Sequence, residues 1–134
     1  MEYVELGAKR QKRINDLPMH FAFGQANFQT KLKELGVTKD DIVAIGGGGF
    51  MLKSEHHLLD EAYKLNEKEN EEFFATDEGL LSALSYELGN HEFVITRDPS
   101  DALRALGLSR KDDRVERLLQ IAMKEQLDWY KANG

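Results

Sequence analysis

Four consecutive glycines, Gly46, Gly47, Gly48 and Gly49, are the first place in this 134-residue chain where the backbone itself could do chemistry. Glycine N–H groups without Cβ atoms can surround an anion, so a phosphate loop is one reading. The pattern departs from it in two ways. A P-loop sets Lys-Ser or Lys-Thr directly after its last glycine, whereas Phe50-Met51-Leu52 intervenes here before Lys53-Ser54. A dinucleotide fingerprint opens a helix after its glycines, and this run opens an apolar, strand-like segment instead. A tight turn or a close-packing point is therefore the leading role of the four glycines, with ligand cradling as the alternative.

Asn90-His91-Glu92 is the second candidate, because a loop end can hold an imidazole beside a carboxylate and tune it for proton transfer. No nucleophile accompanies it: Ser82 and Ser85 fall inside an expected helix, and no GxSxG elbow is present. Satisfying backbone groups at a helix-to-strand junction is the competing role for Asn90 and His91. His56 with Asp60, and His57 with Glu61, have the i,i+4 spacing of metal ligands on a helix. His20 and His91 lie on distant elements and HExxH is missing, so neither a metal nor another cofactor is expected. The chain has no cysteine, which excludes disulfides, thiolate zinc sites and a cysteine nucleophile.

Charge supplies the third candidate. The net charge is −6, against the clustered Lys and Arg that nucleic acids and anionic membranes need. The stretch Glu55 to Glu78 holds nine acids against Lys64 and Lys68, so this segment alone carries −7, while Lys9, Arg10, Lys12 and Arg13 form a small basic cluster. Glu67, Glu69, Glu71 and Glu72 are its densest part and the candidate partner-binding residues; a solvated helix face is the alternative. Trp129-Tyr130 near the C-terminal end can serve an interface or fold back on the domain. Phe21, Phe23, Phe50 and Phe93 fit core packing better than a base-stacking platform, since few cations accompany them.

The elements that must position these residues follow from periodicity and punctuation. A helix is expected over about Tyr3–Asn15, ended by Pro18, then a strand Met19–Phe23. Asn27 is placed to cap a second helix with Phe28, Leu32 and Leu35 inward, and Gly36 to end it. Ile42–Ile45 and Phe50–Leu52 form a hairpin through the glycines. Ser54 should cap a third helix that frays near Asn70, Thr76 or Asp77 a fourth that Gly89 stops, and His91–Thr96 alternates like a strand. Asp98, Pro99 and Gly107 bracket a short helix, and a last one over about Arg110–Lys131 turns Val115, Leu118, Leu119 and Ala122 inward. The result is one α+β domain over residues 1–134: a small mixed or antiparallel sheet of about four short strands covered by about six helices. No apolar run is long enough to span a membrane and no signal peptide is visible, so a cytoplasmic protein is expected.

Three segments carry a resemblance: Ile14-Asn15-Asp16-Leu17-Pro18-Met19-His20-Phe21-Ala22-Phe23, Ile45-Gly46-Gly47-Gly48-Gly49-Phe50, and Tyr86-Glu87-Leu88-Gly89-Asn90-His91-Glu92-Phe93. Together they resemble a family of small uncharacterised proteins carried by phages and mobile elements of bacteria, over nearly the whole chain through Asp101–Leu108. That resemblance implies no catalytic residue. It implies a setting, in the bacterial host cytoplasm, in which a small acidic protein blocks a host defence protein, such as a nucleic-acid-processing enzyme, by presenting carboxylates where phosphates are expected. The alternative is a protein that binds or sequesters a small molecule such as a nucleotide, with Gly46–Gly49 and Asn90-His91 lining its pocket.

Overall fold

A computed structural model describes all 134 residues. In chain order the elements are α1 (Tyr3–Asn15), β1 (His20–Phe21), α2 (Gln25–Leu35), a 3-10 turn (Lys39–Asp41), β2 (Ile42–Gly46), β3 (Gly49–Leu52), α3 (His57–Ala75), α4 (Asp77–Asn90), α5 (Phe93–Thr96), α6 (Ser100–Leu106) and α7 (Asp113–Asn133). The fold is mixed α+β with seven helices and three strands in place of the expected six and four. The chain packs as two compact units: Met1–Lys9 with Lys68–Gly134, and Arg10–Glu67.

The second of these units, Arg10–Glu67, holds the whole sheet, which is antiparallel in the order β1-β3-β2. Every glycine of the run has a geometric reason. Gly47 and Gly48 are the two central residues of the hairpin turn, with φ of 59° and 79°, the double positive φ that matches the twist of antiparallel strands. Gly46, at φ 90°, closes a bulge at the end of β2. At Gly49 a Cβ would lie 2.8 Å from the exposed ring of Phe21, which would have to swing aside, and 3.1 Å from the Gly46 carbonyl oxygen. Phe50 and Met51 are buried, and the Phe50 ring meets Phe28 edge-on at 5.6 Å.

The unit of Met1–Lys9 and Lys68–Gly134 is helical and carries the larger core. Leu80, Leu84 and Leu88 of α4 pack with Phe93 of α5, Ala102 and Leu103 of α6, and Val115, Leu118, Leu119 and Ala122 of α7. Apolar positions spaced by three and four residues place each of these on one helix face. Thr76 alone separates α3 from α4. Its hydroxyl donates to the Phe73 carbonyl and accepts the Gly79 N–H at 3.0 Å, so one side chain ends one helix and caps the next.

Six expectations are corrected. His91–Thr96 is no strand: β-branched Val94 and Ile95 give way to the burial of Phe93, and the chain makes one helical turn between Glu92 and Arg97, both left-handed at φ 55° and 61°. Gly89 does not stop α4, which runs through Asn90 because the His91 N–H still reaches the Glu87 carbonyl. α3 does not fray near Asn70, since it continues to the Thr76 corner. α2 begins at Gln25, with Gly24 rather than Asn27 at its cap, and Ser54 sits in a run of turns ahead of α3. α7 starts at Asp113 rather than near Arg110, capped by Asp112, whose carboxylate accepts the N–H groups of Arg114 and Val115. Gly36 and Gly107, by contrast, end α2 and α6 in the left-handed conformation as expected.

The α3–α4 corner depends on the missing side chain of Gly79, where a Cβ would stand 1.9 Å from the Phe73 carbonyl oxygen. That atom belongs to the backbone and cannot swing away. Gly79→Ala is therefore expected to destabilise folding by about 3 kcal/mol, a value at the upper end for overpacking. A denaturant melt of the variant at unchanged m-value measures it; a loss below about 0.5 kcal/mol would show that the corner is not tightly set.

Candidate interaction surface

The acidic segment does not form one uniform face. α3 is a continuous helix, so successive residues step round it by about 100°. Glu67 and Glu71, one turn apart, are exposed, whereas Glu69 faces the other way and pairs with Lys9 at 3.3 Å. Glu72 lies 3.9 Å from Lys68. Asp77, at the start of α4, is held by both Arg117 and Arg114, each at 2.9 Å. Those guanidiniums, Arg117 first, keep its carboxyl below the usual aspartate range. A charge of −7 in sequence is thus partly neutralised in space.

What the acids do edge is a set of clefts in the helical unit. One, of about 380 Å³, has Leu6, Phe73 and Gly79 at its base and Lys9, Glu69 and Glu72 beside it. A larger one, of about 560 Å³, lies along the face of α4 that points away from the core. Ser82 and Ser85 belong to that face because the buried positions Leu80, Ala83, Leu84, Glu87 and Leu88 occupy the opposite one. The Ser82 hydroxyl builds the cleft wall: it accepts the Tyr3 N–H at 3.0 Å and donates to the Glu2 carboxylate at 2.7 Å. The Tyr3 ring then rests on Tyr86, 5.5 Å between centroids, and on Phe74 at 6.3 Å. Ser85 and Glu125 continue into an adjoining cleft of about 380 Å³ edged by Gln126 and Trp129, where the Gln126 amide donates to the Ser85 carbonyl.

The other sequence candidates are placed as follows. Trp129 is 64% exposed and does not fold back on the core. His91 has a carboxylate beside it, but the partner is Glu87, 3.2 Å away and nearly buried, rather than Glu92. Asn90 is exposed at the end of α4. Gly46–Gly49 belong to the sheet-bearing unit and Asn90 and His91 to the helical one. No three His, Asp or Glu side chains converge as metal ligands, at His56 and His57 or elsewhere. Sequence reading missed the cleft walls supplied by Glu2, Tyr3 and Val4; the only signal was a thin apolar face on the first helix.

The structure thus defines a small mixed α+β protein with an acid-edged groove in its helical unit. The chain belongs to a family of unknown function (DUF7659), matched over residues 2–125. No curated protein and no solved structure matches it. No helix is long and apolar enough to cross a membrane.

An ion pair at the start of α7 sets an acid dependence. Arg110 grips Glu116 through two 2.8 Å bonds, and with Gln120 lowers the Glu116 carboxyl from 4.5 to about 2. A depressed carboxylate stabilises the fold above its unfolded value and loses that contribution as pH falls through its folded one. Stability is therefore expected to decline between about pH 4.5 and pH 2. Carboxyl-carbon NMR titration should place the Glu116 midpoint near 2 and move it upward in Arg110→Ala. An unmoved midpoint would contradict the assignment.

Proposed function

We propose that this protein works as a non-catalytic binding module that engages another protein through the acid-edged helical unit. The observation that carries this reading is the exposure of large side chains around the clefts: Val4, Tyr86 and Trp129 all stand in solvent beside carboxylates. Aromatic side chains left exposed at a groove cost solubility and are the commonest anchors of protein interfaces. In the mobile-element setting that the sequence resemblance implies, the partner is a host defence protein that handles nucleic acid. Glu69 and Glu72 at the smaller cleft, with Glu67 and Glu71 on the outer side of α3, are the carboxylates that would meet its cationic surface.

A second reading, sequestration of a nucleotide or related ligand, draws on the sheet-bearing unit. There a cleft of about 360 Å³ lies beside the glycine turn, with Phe28, Phe50 and Lys39 among its walls. An aromatic wall and one cation are the start of a nucleotide site. Stabilisation of the fold by millimolar ATP or GTP, lost in Lys39→Ala, would favour this reading over protein binding.

Affinity capture from bacterial lysate tests the first reading. The tagged wild type is expected to retain one host protein, and Glu67→Lys/Glu69→Lys/Glu71→Lys/Glu72→Lys, with an unchanged circular dichroism spectrum, to retain at least about tenfold less. Equal retention by the quadruple variant, or no specific host protein at all, contradicts it.

A further inference from the structure

We propose that the groove along α4 and α7 receives a basic amphipathic helix of the partner protein. The inference rests on the reading of the protein as a binding module and names what its groove recognises.

Shape comes first. The larger cleft and its neighbour share Ser85 and Glu125 and so form one continuous groove. From Glu78 to Ser85 α4 advances about 10 Å, and Glu125 to Trp129 adds a turn of α7, which matches two to three turns of a docked helix. Between its acidic edges the lining is small and uncharged, with Ser82 and Ser85 beside Leu81, so a ridge of larger side chains can settle against it. The walls are helices whose backbone groups are already bonded internally. An added strand would find no open sheet edge there, which leaves the helix-in-groove mode.

Sign comes second. Glu2, Glu78 and Glu125 edge the groove, and no lysine or arginine lines it. None of the three makes an ion pair, unlike Glu69, Glu72, Asp77 and Glu116, which already have cationic partners. Cations of an incoming segment would therefore meet carboxylates that nothing in this chain compensates, whereas an acidic helix or a nucleic acid would be repelled. Anchors come third. Tyr86 and Trp129 flank the groove at 46% and 64% exposure, placed to cover the apolar stripe of a helix whose lysines or arginines reach the rim.

Trp129 is the one tryptophan of the chain, so its fluorescence reports this groove and nothing else. The probes are synthetic amphipathic helices of about 14 residues with leucine on one face and lysine, glutamine or glutamate on the other. The Leu/Lys helix is expected to shift Trp129 emission to the blue in a saturable way, and the Leu/Glu helix not to bind. Glu78→Gln/Glu125→Gln and, separately, Tyr86→Ala should each weaken the Leu/Lys helix about tenfold. The charge-matched pair Asp101→Asn/Asp113→Asn, neither of which lines the groove, should leave affinity within about twofold. Equal response to all three helices, equal weakening by the control pair, or no saturable shift overturns the proposal. A host protein captured as above while the Leu/Lys helix leaves Trp129 unmoved would retire the groove inference and keep the binding-module reading. Specific helix binding with nothing captured would do the reverse.

Discussion

The stripe Leu80-Leu84-Leu88 of α4, buried with Val115, Leu118, Leu119 and Ala122 of α7, is the contact on which the helical unit depends. Each of these leucines contributes on the order of 2 kcal/mol by leaving water, and their spacing fixes which side of α4 is inside. Once that side is fixed, Glu78, Ser82 and Ser85 have no choice but to face outward. The groove is thus the reverse side of the core helix. Its polarity follows from what the core did not take.

The same constraint explains why the first turn of α1 matters. Ser82 cannot reach the core, so its hydroxyl is free to hold the Tyr3 N–H and the Glu2 carboxylate. That places Tyr3 against Tyr86 and closes one wall of the groove. At the other end Gln126 ties α7 to the Ser85 carbonyl and leaves Trp129 standing at the rim. The α3–α4 corner adds a carboxylate, Glu78, one residue before the glycine that allows the corner to be so tight.

Local signals in the sequence were read well where one residue type has one physical use. Positive φ at Gly36 and Gly107, the glycine hairpin, and the inward Val115, Leu118 and Leu119 of α7 are all of this kind. Reading failed where tertiary burial outvotes local preference. His91–Thr96 has the composition of a strand, yet Phe93 must enter a helical core that offers no strand to pair with. The acidic segment was legible as charge but not as surface, because Lys9, Arg114 and Arg117, distant in sequence, neutralise part of it. The groove itself was not legible. Its residues are Glu2 to Val4, Glu78 to Tyr86 and Glu125 to Trp129, and only the packing of α4 brings the three stretches together.

Amide chemical-shift mapping of the labelled protein with the Leu/Lys helix tests the central claim, that the outer side of the core helix is the recognition surface. The account predicts shifts confined to residues 2–4, 78–86 and 125–129. Shifts centred on the glycine hairpin at 46–49, or spread over the basic positions of α1, would contradict it.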